Sequence, residues 1–296
     1  MDANDFLAGR FEEHRSHLKA VAYRMLGSLA EADDAVQEAW LRLSRTDSGE
    51  IDNLGGWLTT VVGRVCLDML RTRTSRREDP LEQRLPDPVI SGEDGGDPEQ
   101  QVLVADAVGL ALLVVLESLS PAERLAFVLH DMFAVPFEQI APIVDRTPAT
   151  AKKLASRARQ RVRGTVPSPD PDPSRQRRVV DAFLAAARGG DFEALLALLD
   201  PDVVMRVDAG AVAKGGMWTI NGAAAVAGQM ANFKRFSTTY TAEPVLVNGV
   251  VGFVGMLNGE PRSVLSFIVT DGRIAALDIL SDPDRIAGLA LTTPAD

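Results

Sequence analysis

Apolar residues spaced three and four positions apart dominate the first half of the chain and predict helices there. A helix over about 29–45 carries the apolar stripe Ala32, Ala35, Val36, Ala39 and Leu43. The segment Ser28-Leu-Ala-Glu31 has the pattern of a capping box at the start of this helix. A further helix is predicted over about 54–74, with an apolar stripe and several arginines on other faces. The first module is therefore predicted to be a helical bundle.

A second, smaller helical module is predicted over residues 99–164. The segment Ser120-Pro-Ala-Glu123 marks one helix start, and Thr147-Pro148 marks another. A short helix over 137–143 and a brief turn precede a longer helix over 148–163. This is the spacing of a helix-turn-helix, whose second helix enters the major groove of DNA.

Beyond residue 174 the pattern changes from helical to strand-like. Residues 175–199 are predicted to be helical, with a break at Gly189-Gly-Asp191. Alternating apolar residues then predict strands, at 202–208, 235–247, 250–257, 262–270 and 273–280. The pair Asp271-Gly272 between two of these strands predicts a hairpin. Helices followed by a curved antiparallel sheet predict an α+β cone.

Two segments rich in proline or acidic residues separate the three modules. Residues 79–98 are predicted to be a flexible acidic linker, and residues 165–173, with four prolines, a semi-rigid one. The fold class is therefore multidomain, with two all-α modules at 1–78 and 99–164 followed by an α+β module at 174–296.

The charge of the chain changes the interpretation of its one basic helix. A formal net charge of −10 argues against nonspecific nucleic-acid binding by the whole molecule. Residues 148–163 nevertheless hold six Lys/Arg and no acid, with Lys152, Lys153 and Arg157 on one helical face. Such a face can be a solvated surface, but the preceding helix and turn favour DNA binding. Any DNA contact must then be local, or completed by a partner.

The remaining composition narrows the class of protein. The single cysteine, Cys66, excludes an intramolecular disulfide and fits a reducing cytoplasm. No apolar run reaches the roughly 20 residues of a membrane span, and the N-terminus has no signal-peptide layout. No Cys/His cluster suggests a metal, and no glycine-rich phosphate loop is present. We therefore predict a cytoplasmic protein without a metal or another cofactor.

Residues 6–164 resemble a bacterial sigma factor of the extracytoplasmic-function (ECF) class of the sigma-70 family. The segment from Ala32 to Trp40 is similar to the motif that binds core RNA polymerase, and the segment from Gly56 to Arg71 to the helix that reads the −10 element. The segment from Leu119 to Val162 resembles region 4, which reads the −35 element. Asp145 stands where many relatives have Gly, and Asp tolerates the left-handed backbone of that turn. The resemblance implies two partners, core RNA polymerase and promoter DNA.

Three sets of residues follow from this resemblance. The polymerase set is Asp33, Asp34, Val36, Gln37, Glu38 and Trp40. The −10 set is Arg64, Asp68, Arg71, Arg73, Arg76 and Arg77. The −35 set is Arg146, Thr147, Thr150, Lys152, Lys153, Ser156, Arg157, Arg159 and Arg161. Basic side chains of the −35 set can contact phosphates and guanine edges, while those of the −10 set suit single-stranded bases.

The third module resembles the SnoaL-like branch of the NTF2 fold, which occurs fused to a sigma factor in one ECF subgroup. That subgroup carries a linker motif, a glycine-rich Asp motif and a C-terminal motif. The corresponding regulatory set here is Leu85, Pro86, Asp87, Pro88, Asp208, Gly210, Asp282, Pro283, Asp284 and Arg285. The resemblance implies a domain that contacts the sigma domains of the same chain and modulates their activity. Such a domain can either inhibit or assist.

An enzymatic role of the third module is an alternative. SnoaL-like cyclases and isomerases use Asp or His in a pocket lined with aromatic residues, but all three histidines lie outside this module. The candidate acid/base groups have no partner at a recognisable spacing; they are Asp181, Asp202, Asp208, Asp278 and Tyr240. We therefore predict no catalytic residue. Two alternatives stay open: a bifunctional protein with isomerase or cyclase activity, and a helix-turn-helix regulator with a ligand-sensing domain. In either case the third module can have a small-molecule ligand.

Overall fold

The computed structural model of the chain describes residues 3–46, 51–75, 84–92, 109–165, 167–210, 216–232 and 240–289. The chain forms two compact units. The first is built from residues 1–78, 101–103 and 113–165, and the second from residues 79–100, 104–112 and 166–296. The first unit is helical and the second contains the sheet, which confirms the predicted multidomain fold class.

Three helices open the first unit: α1 (Ala3–Leu26), α2 (Leu29–Leu43) and α3 (Leu54–Ser75). Gly27, with a φ of 74°, ends α1 in the left-handed conformation that glycine adopts without strain. Ser28 then caps α2 by accepting a hydrogen bond from the backbone N–H of Glu31. The predicted apolar stripe of α2 is buried throughout, which fixes α2 against α1 and α3.

Further helices follow the third one: α4 (Gly109–Glu117), α5 (Pro121–Phe127), a π-helical turn (Val128–Met132), α6 (Phe137–Ile140) and α7 (Pro148–Thr165). The capping box at Ser120 is present, because its hydroxyl accepts from the N–H of Glu123 and the Glu123 carboxylate accepts from the N–H of Ser120. Asp145 has a φ of 54°, so the turn before α7 takes the left-handed backbone expected of it.

The second unit contains the remaining elements. Its helices are α8 (Pro173–Gly189), α9 (Phe192–Leu198), α10 (Ala223–Ala231) and α11 (Pro283–Ala287). Its strands are β1 (Ile90–Ser91), β2 (Leu199–Asp208), β3 (Met217–Asn221), β4 (Tyr240–Val247), β5 (Val250–Leu257), β6 (Glu260–Thr270) and β7 (Arg273–Leu280).

The seven strands form one sheet in the order β1-β4-β5-β6-β7-β2-β3. Neighbouring strands are antiparallel except for β2 and β7, which run parallel, so the sheet is mixed and the expectation of a purely antiparallel sheet is wrong. No hairpin joins β2 to β7, since four other strands lie between them in sequence, so their connection does not require an antiparallel pair. The hairpin at Asp271-Gly272 is confirmed, with φ values of 51° and 75°.

Both faces of this sheet are buried. One face packs on the helices of the second unit, around Phe183, Leu195 and Phe267. On the other face, Ile268 and Ala276 pack against Ala111 from the start of α4. Residues 84–92 of the segment predicted to be a flexible linker also belong to this unit, and their second half forms β1 at the edge of the sheet.

Candidate functional site: nucleic-acid interface and linker-docking site

The exposed face of α7 carries the cationic residues predicted to contact the −35 element. Ala151, Ala155 and Ala158 are fully buried, which turns Lys152, Lys153, Ser156 and Arg157 toward solvent. Thr147 accepts from the N–H of Thr150 at 3.3 Å and so fixes the first turn of the helix. No acidic side chain forms an ion pair with Lys152, Lys153 or Arg157 within the described part of the chain. This face is therefore free to meet a polyanion.

Other basic residues of the −35 set already have partners inside the protein. Arg159 donates from Nε to the carboxylate of Asp131 at 2.7 Å. Arg161 donates to the Ser118 carbonyl at 3.3 Å and lies 3.7 Å from the Glu123 carboxylate. Arg146 donates to the Asp145 carbonyl at 2.8 Å. Arg146, Arg159 and Arg161 are thus held by nearby acids and carbonyls. The cationic side chains in the middle of α7 have no such ion pair among the described residues.

The described members of the −10 set lie on α3, and they too differ in whether they have partners inside the protein. Arg64 is exposed, and Arg71 is exposed with its guanidinium 3.7 Å from the Asp68 carboxylate. Arg73 forms an ion pair with Glu31 of α2 and donates to the Leu26 carbonyl at 3.3 Å. Arg76 and Arg77 lie outside the described residues. The structure thus places Arg64 and Arg71 at the surface, while Arg73 ties α3 to α1 and α2.

The polymerase set occupies two sides of α2. Asp33, Asp34 and Gln37 are exposed, with Asp33 2.8 Å from Lys19. Val36 is 1% exposed and belongs to the core. Glu38 pairs with Arg42 at 2.9 Å in the same helix. Trp40 is half-buried against Phe11 of α1, with the two ring centres 5.2 Å apart.

A buried arginine that the sequence analysis missed joins α5 to α1. The Arg124 guanidinium is 4% exposed and donates to the carbonyls of Met25 and Leu116, each at 2.7 Å. Burial lowers the pKa of Arg124 to about 10, the neighbouring Glu117 opposing this effect. Gly63 of α3 also faces Leu125 and Leu129 at ordinary packing distance. The module with the helix-turn-helix therefore packs directly on the three-helix bundle.

The regulatory set comes together around a partly buried arginine. Arg285 of α11 donates to the Asp208 carboxylate at 2.6 Å, to the Leu85 carbonyl at 2.6 Å and to the Asp87 carboxylate at 2.7 Å. The Leu85 N–H donates to the same Asp208 carboxylate at 2.9 Å. Three segments that are far apart in sequence thus share one hydrogen-bonded network, and Asp208 within it is 1% exposed.

The neighbouring residues of the regulatory set position this network. Asp282 caps α11 by accepting from the N–H groups of Asp284 and Arg285. A side chain on Gly210, whose φ is 73°, would collide with the Asp282 carboxylate, so only glycine fits there. Pro86 and Pro88 are buried, whereas Pro283 begins α11.

The linker continues from this network onto the edge of the sheet. The Val89 N–H donates to the Asn248 side-chain oxygen at 3.1 Å, and the Asn248 N–H donates to the Val89 carbonyl at 2.8 Å. Ile90 then pairs with Val247, and Ser91 with Leu246. We call Asp208, Asn248, Arg285 and the edge of β4 the linker-docking site. It holds five of the seven residues from 85 to 91 by hydrogen bonds, an ion pair or strand pairing.

The five candidate acid/base groups of the second unit differ in their surroundings. Asp208 belongs to the linker-docking site, and Asp181 and Asp202 are exposed. Asp278 is buried beside Arg206, 2.8 Å away, and burial raises the pKa of Asp278 although that arginine acts in the opposite direction. Tyr240 hydrogen-bonds Ser263, and its burial raises the pKa of the Tyr240 hydroxyl.

Comparisons with known proteins agree with this architecture. A family model described as Sigma-70 region 2 matches residues 10–76, and one described as Sigma-70, region 4 matches residues 109–162. The chain is 38% identical over 300 residues to the ECF RNA polymerase sigma factor SigJ of Mycobacterium tuberculosis (strain ATCC 25618 / H37Rv), covering 95% of this chain and 93% of that protein. It is 32% identical over 292 residues to the Probable ECF RNA polymerase sigma factor SigI of Mycobacterium tuberculosis (strain CDC 1551 / Oshkosh), covering 97% of each.

A solved structure shares the whole fold. The crystal structure of Mycobacterium tuberculosis SigJ superposes with a TM-score of 0.76 at 36% identity, covering 96% of this chain and 100% of that one. Two helical sigma modules followed by an α+β domain define a sigma-70-family protein with a C-terminal extension. The chain belongs to the ECF sigma factors, which bind core RNA polymerase and direct promoter-specific transcription initiation. This excludes an ordinary helix-turn-helix regulator that acts without polymerase.

Among the helices of the described residues, none is both long and apolar enough to cross a bilayer.

Proposed function

We propose that the C-terminal domain regulates this sigma factor in cis by holding the linker between regions 2 and 4. The observation that carries the proposal is the network in which Arg285 joins Asp208 to Leu85 and Asp87. A linker segment held at five of its residues between positions 85 and 91 cannot at the same time follow a path across polymerase. Docking of the linker and promoter binding would therefore compete.

The packing of region 4 on region 2 supports an inhibited resting state. The −10 and −35 elements are separate stretches of the promoter duplex, so regions 2 and 4 must stand apart to bind both at once. Modules that touch through Arg124 and Gly63 cannot reach both elements together. Initiation therefore requires them to separate, and a docked linker opposes that separation.

We assign the −35 contacts chiefly to Lys152, Lys153, Ser156 and Arg157, with Thr150 at the start of the helix. These residues lie on the exposed face of α7, and α7 is the recognition helix of region 4. Arg146, Arg159 and Arg161 would reach backbone phosphates only after leaving their present partners. Phosphate contacts set position, while contacts to base edges set specificity.

In region 2 we assign polymerase binding to the exposed side of α2, with Asp33, Asp34 and Gln37 as polar contacts and Trp40 as an anchor. Val36 supports that surface from the core instead of touching the partner. We assign −10 binding to Arg64 and Arg71 on α3, with Asp68 beside them. Because both DNA contacts are local in an acidic protein, polymerase would align them and raise their effective concentration.

We also propose that the C-terminal domain acts without catalysis. Tyr240, whose hydroxyl could exchange a proton, has Ser263 as a hydrogen-bond partner. Asp208 and Asp278 each pair with an arginine, which suits a structural role.

The polymerase that a sigma factor serves is in the cytoplasm, so we place the protein there.

The experiment that tests regulation is run-off transcription with core polymerase and a cognate promoter. Full-length protein is compared with residues 1–168, which lack the C-terminal domain. Inhibition in cis predicts higher promoter-dependent output from the truncated protein at equal occupancy of core enzyme. Equal output from the two proteins, or a lower output from the truncated one, would contradict it.

A further inference from the structure

A groove separates α8 from strands β4 and β5 of the C-terminal domain, away from the linker-docking residues Asp208 and Arg285. Its volume is about 960 Å³, at the upper end of the range for small-molecule sites. The wall formed by the strands is apolar and includes Pro244, Leu246 and Phe253. The wall formed by α8 is charged. The groove is therefore amphipathic across its width.

The charges on the helical wall are predominantly positive. Arg177, Arg178 and Arg188 line the groove together with a single acid, Asp181. Asp181 is four, three and seven positions from Arg177, Arg178 and Arg188, which brings each arginine near the side of α8 that carries Asp181. This side of α8 is positively charged, although the formal net charge of the chain is −10.

Arg177 is the cation closest to the apolar wall. Its guanidinium carbon lies 5.1 Å from the ring centre of Phe253. Burial lowers the pKa of Arg177, and Asp181 acts in the opposite direction. A cation partly removed from water beside an aromatic ring gains free energy when a carboxylate binds to it, because the carboxylate replaces the lost hydration.

We infer that this groove binds a small amphipathic carboxylate, with its anion on Arg177 and Arg178 and its apolar body against Phe253, Leu246 and Pro244. Arginine presents parallel N–H donors that match the two carboxylate oxygens. The apolar strand wall buries the hydrocarbon part of such a ligand. Asp181 limits affinity, because it repels the bound anion.

The groove also borders the docked linker. Leu246 lines the groove and is the register partner of Ser91 in β1. A ligand that shifts β4 would change the docking of the linker, and this coupling rests on the proposed regulation in cis. Ligand binding itself does not depend on that regulation.

Calorimetric titration of the full chain tests the site with three probes that share one apolar body: 4-phenylbutyrate, 4-phenylbutan-1-ol and 4-phenylbutylamine. We expect saturable binding of the carboxylate that is at least about tenfold tighter than binding of the alcohol or the amine. Absence of saturable carboxylate binding up to its solubility limit, or equal affinity for the alcohol, would overturn the inference.

Variants locate the site and separate it from the proposed regulation. Arg178→Met changes an exposed residue, leaves the fold intact and should weaken carboxylate binding several-fold, whereas Asp181→Asn should strengthen it. Arg262→Met removes an exposed arginine paired with Glu260 on β6 and should leave the affinity unchanged. Unchanged affinity in Arg178→Met, or weaker binding in Asp181→Asn, contradicts the assignment. These readouts need no transcription, so they stand even if regulation in cis fails its own test.

Discussion

The Arg285 guanidinium donates to the Asp208 carboxylate at 2.6 Å, and through its other nitrogen it holds the Leu85 carbonyl and the Asp87 carboxylate. Arg285 and Asp208 both belong to the C-terminal domain, but the groups that they hold belong to the linker of the sigma regions. The ion pair therefore has a structural role and, in our account, a regulatory one as well.

Replacing this arginine should both destabilise the domain and release the linker. In Arg285→Met the Asp208 carboxylate stays buried without its cation, so we expect the free energy of unfolding to fall by about 3 kcal/mol. Hydrogen exchange at the N–H groups of Leu85 and Val89 should accelerate. Denaturant titration and exchange mass spectrometry measure the two effects.

The matched control for that variant is Arg262→Met, because Arg262 forms an exposed ion pair with Glu260. Its loss should cost less than about 1 kcal/mol. Equal destabilisation by the two substitutions, or unchanged exchange at Leu85 in Arg285→Met, would show that Arg285 does not hold the linker.

Two arginines on the recognition helix should differ in their effect on transcription. Arg157 is exposed, whereas Arg159 is paired with Asp131. We expect Arg157→Met to reduce output from a −35-dependent promoter by about tenfold, as for the loss of one good base contact. Arg159→Met should reduce it less. Run-off transcription measures both effects. A larger loss of output in Arg159→Met than in Arg157→Met would mean that the face of α7 around Arg157 is not the one that contacts DNA.

The combined charge reversal Lys152→Glu plus Arg157→Glu is a stronger test of the same face. Two acids facing the phosphates should abolish −35-dependent initiation, while core-polymerase binding, which we assign to region 2, stays intact. Co-purification with core enzyme followed by transcription separates the two activities. Full promoter activity of the double variant would contradict the recognition-helix assignment.

Arg124 should hold region 4 on region 2. In Arg124→Met two carbonyls, on Met25 and Leu116, lose a charged donor, and we expect a loss of about 2 kcal/mol in the free energy of unfolding. Exchange at the end of α1 should rise as well. Wild-type stability together with wild-type exchange at Met25–Gly27 would mean that Arg124 contributes nothing to the contact.

The stability of the protein should depend on pH through His17. Burial lowers the pKa of His17 below its ordinary value of 6.5, and His14 and Arg24 lower it further. The unfolded chain therefore takes up a proton near pH 6.5 that the folded chain takes up only at lower pH. The contribution of His17 to stability is present above about pH 6.5 and is lost as the pH falls. Urea titrations between pH 7 and pH 5 should show a smaller slope in His17→Gln than in the wild type, and equal slopes would refute the assignment.

The sequence predicted those parts of the structure that depend on local patterns. Capping residues and apolar periodicity located α2, α3 and α7, and the Asp-Gly pair located the hairpin between β6 and β7. Two further hairpin turns, at Asn248-Gly249 and Asn258-Gly259, carry the same kind of signal, and positive φ values at all four residues confirm it.

The features that the sequence did not predict depend on contacts between distant residues. Strand β1 has two residues in a segment of low strand propensity, and it exists because β4 offers an edge to it. The role of Arg124 depends on the Met25 carbonyl, 99 residues away. One local signal was available, since Arg124 is a charged residue that directly precedes the apolar stretch from Leu125 to Leu129. Motif resemblance identified Asp208 and Arg285, but only the fold brings them to Leu85.

A reversible covalent lock tests the central claim, that the linker must leave the C-terminal domain for initiation. Ile90 and Val247 are neighbours across β1 and β4, at a spacing suited to a disulfide. The native thiol, Cys66, is buried and does not interfere. We predict that Ile90→Cys plus Val247→Cys loses promoter-dependent run-off transcription when oxidised and regains it after reduction, while Ile90→Cys alone does not respond. Full transcription by the oxidised, crosslinked protein would contradict the account.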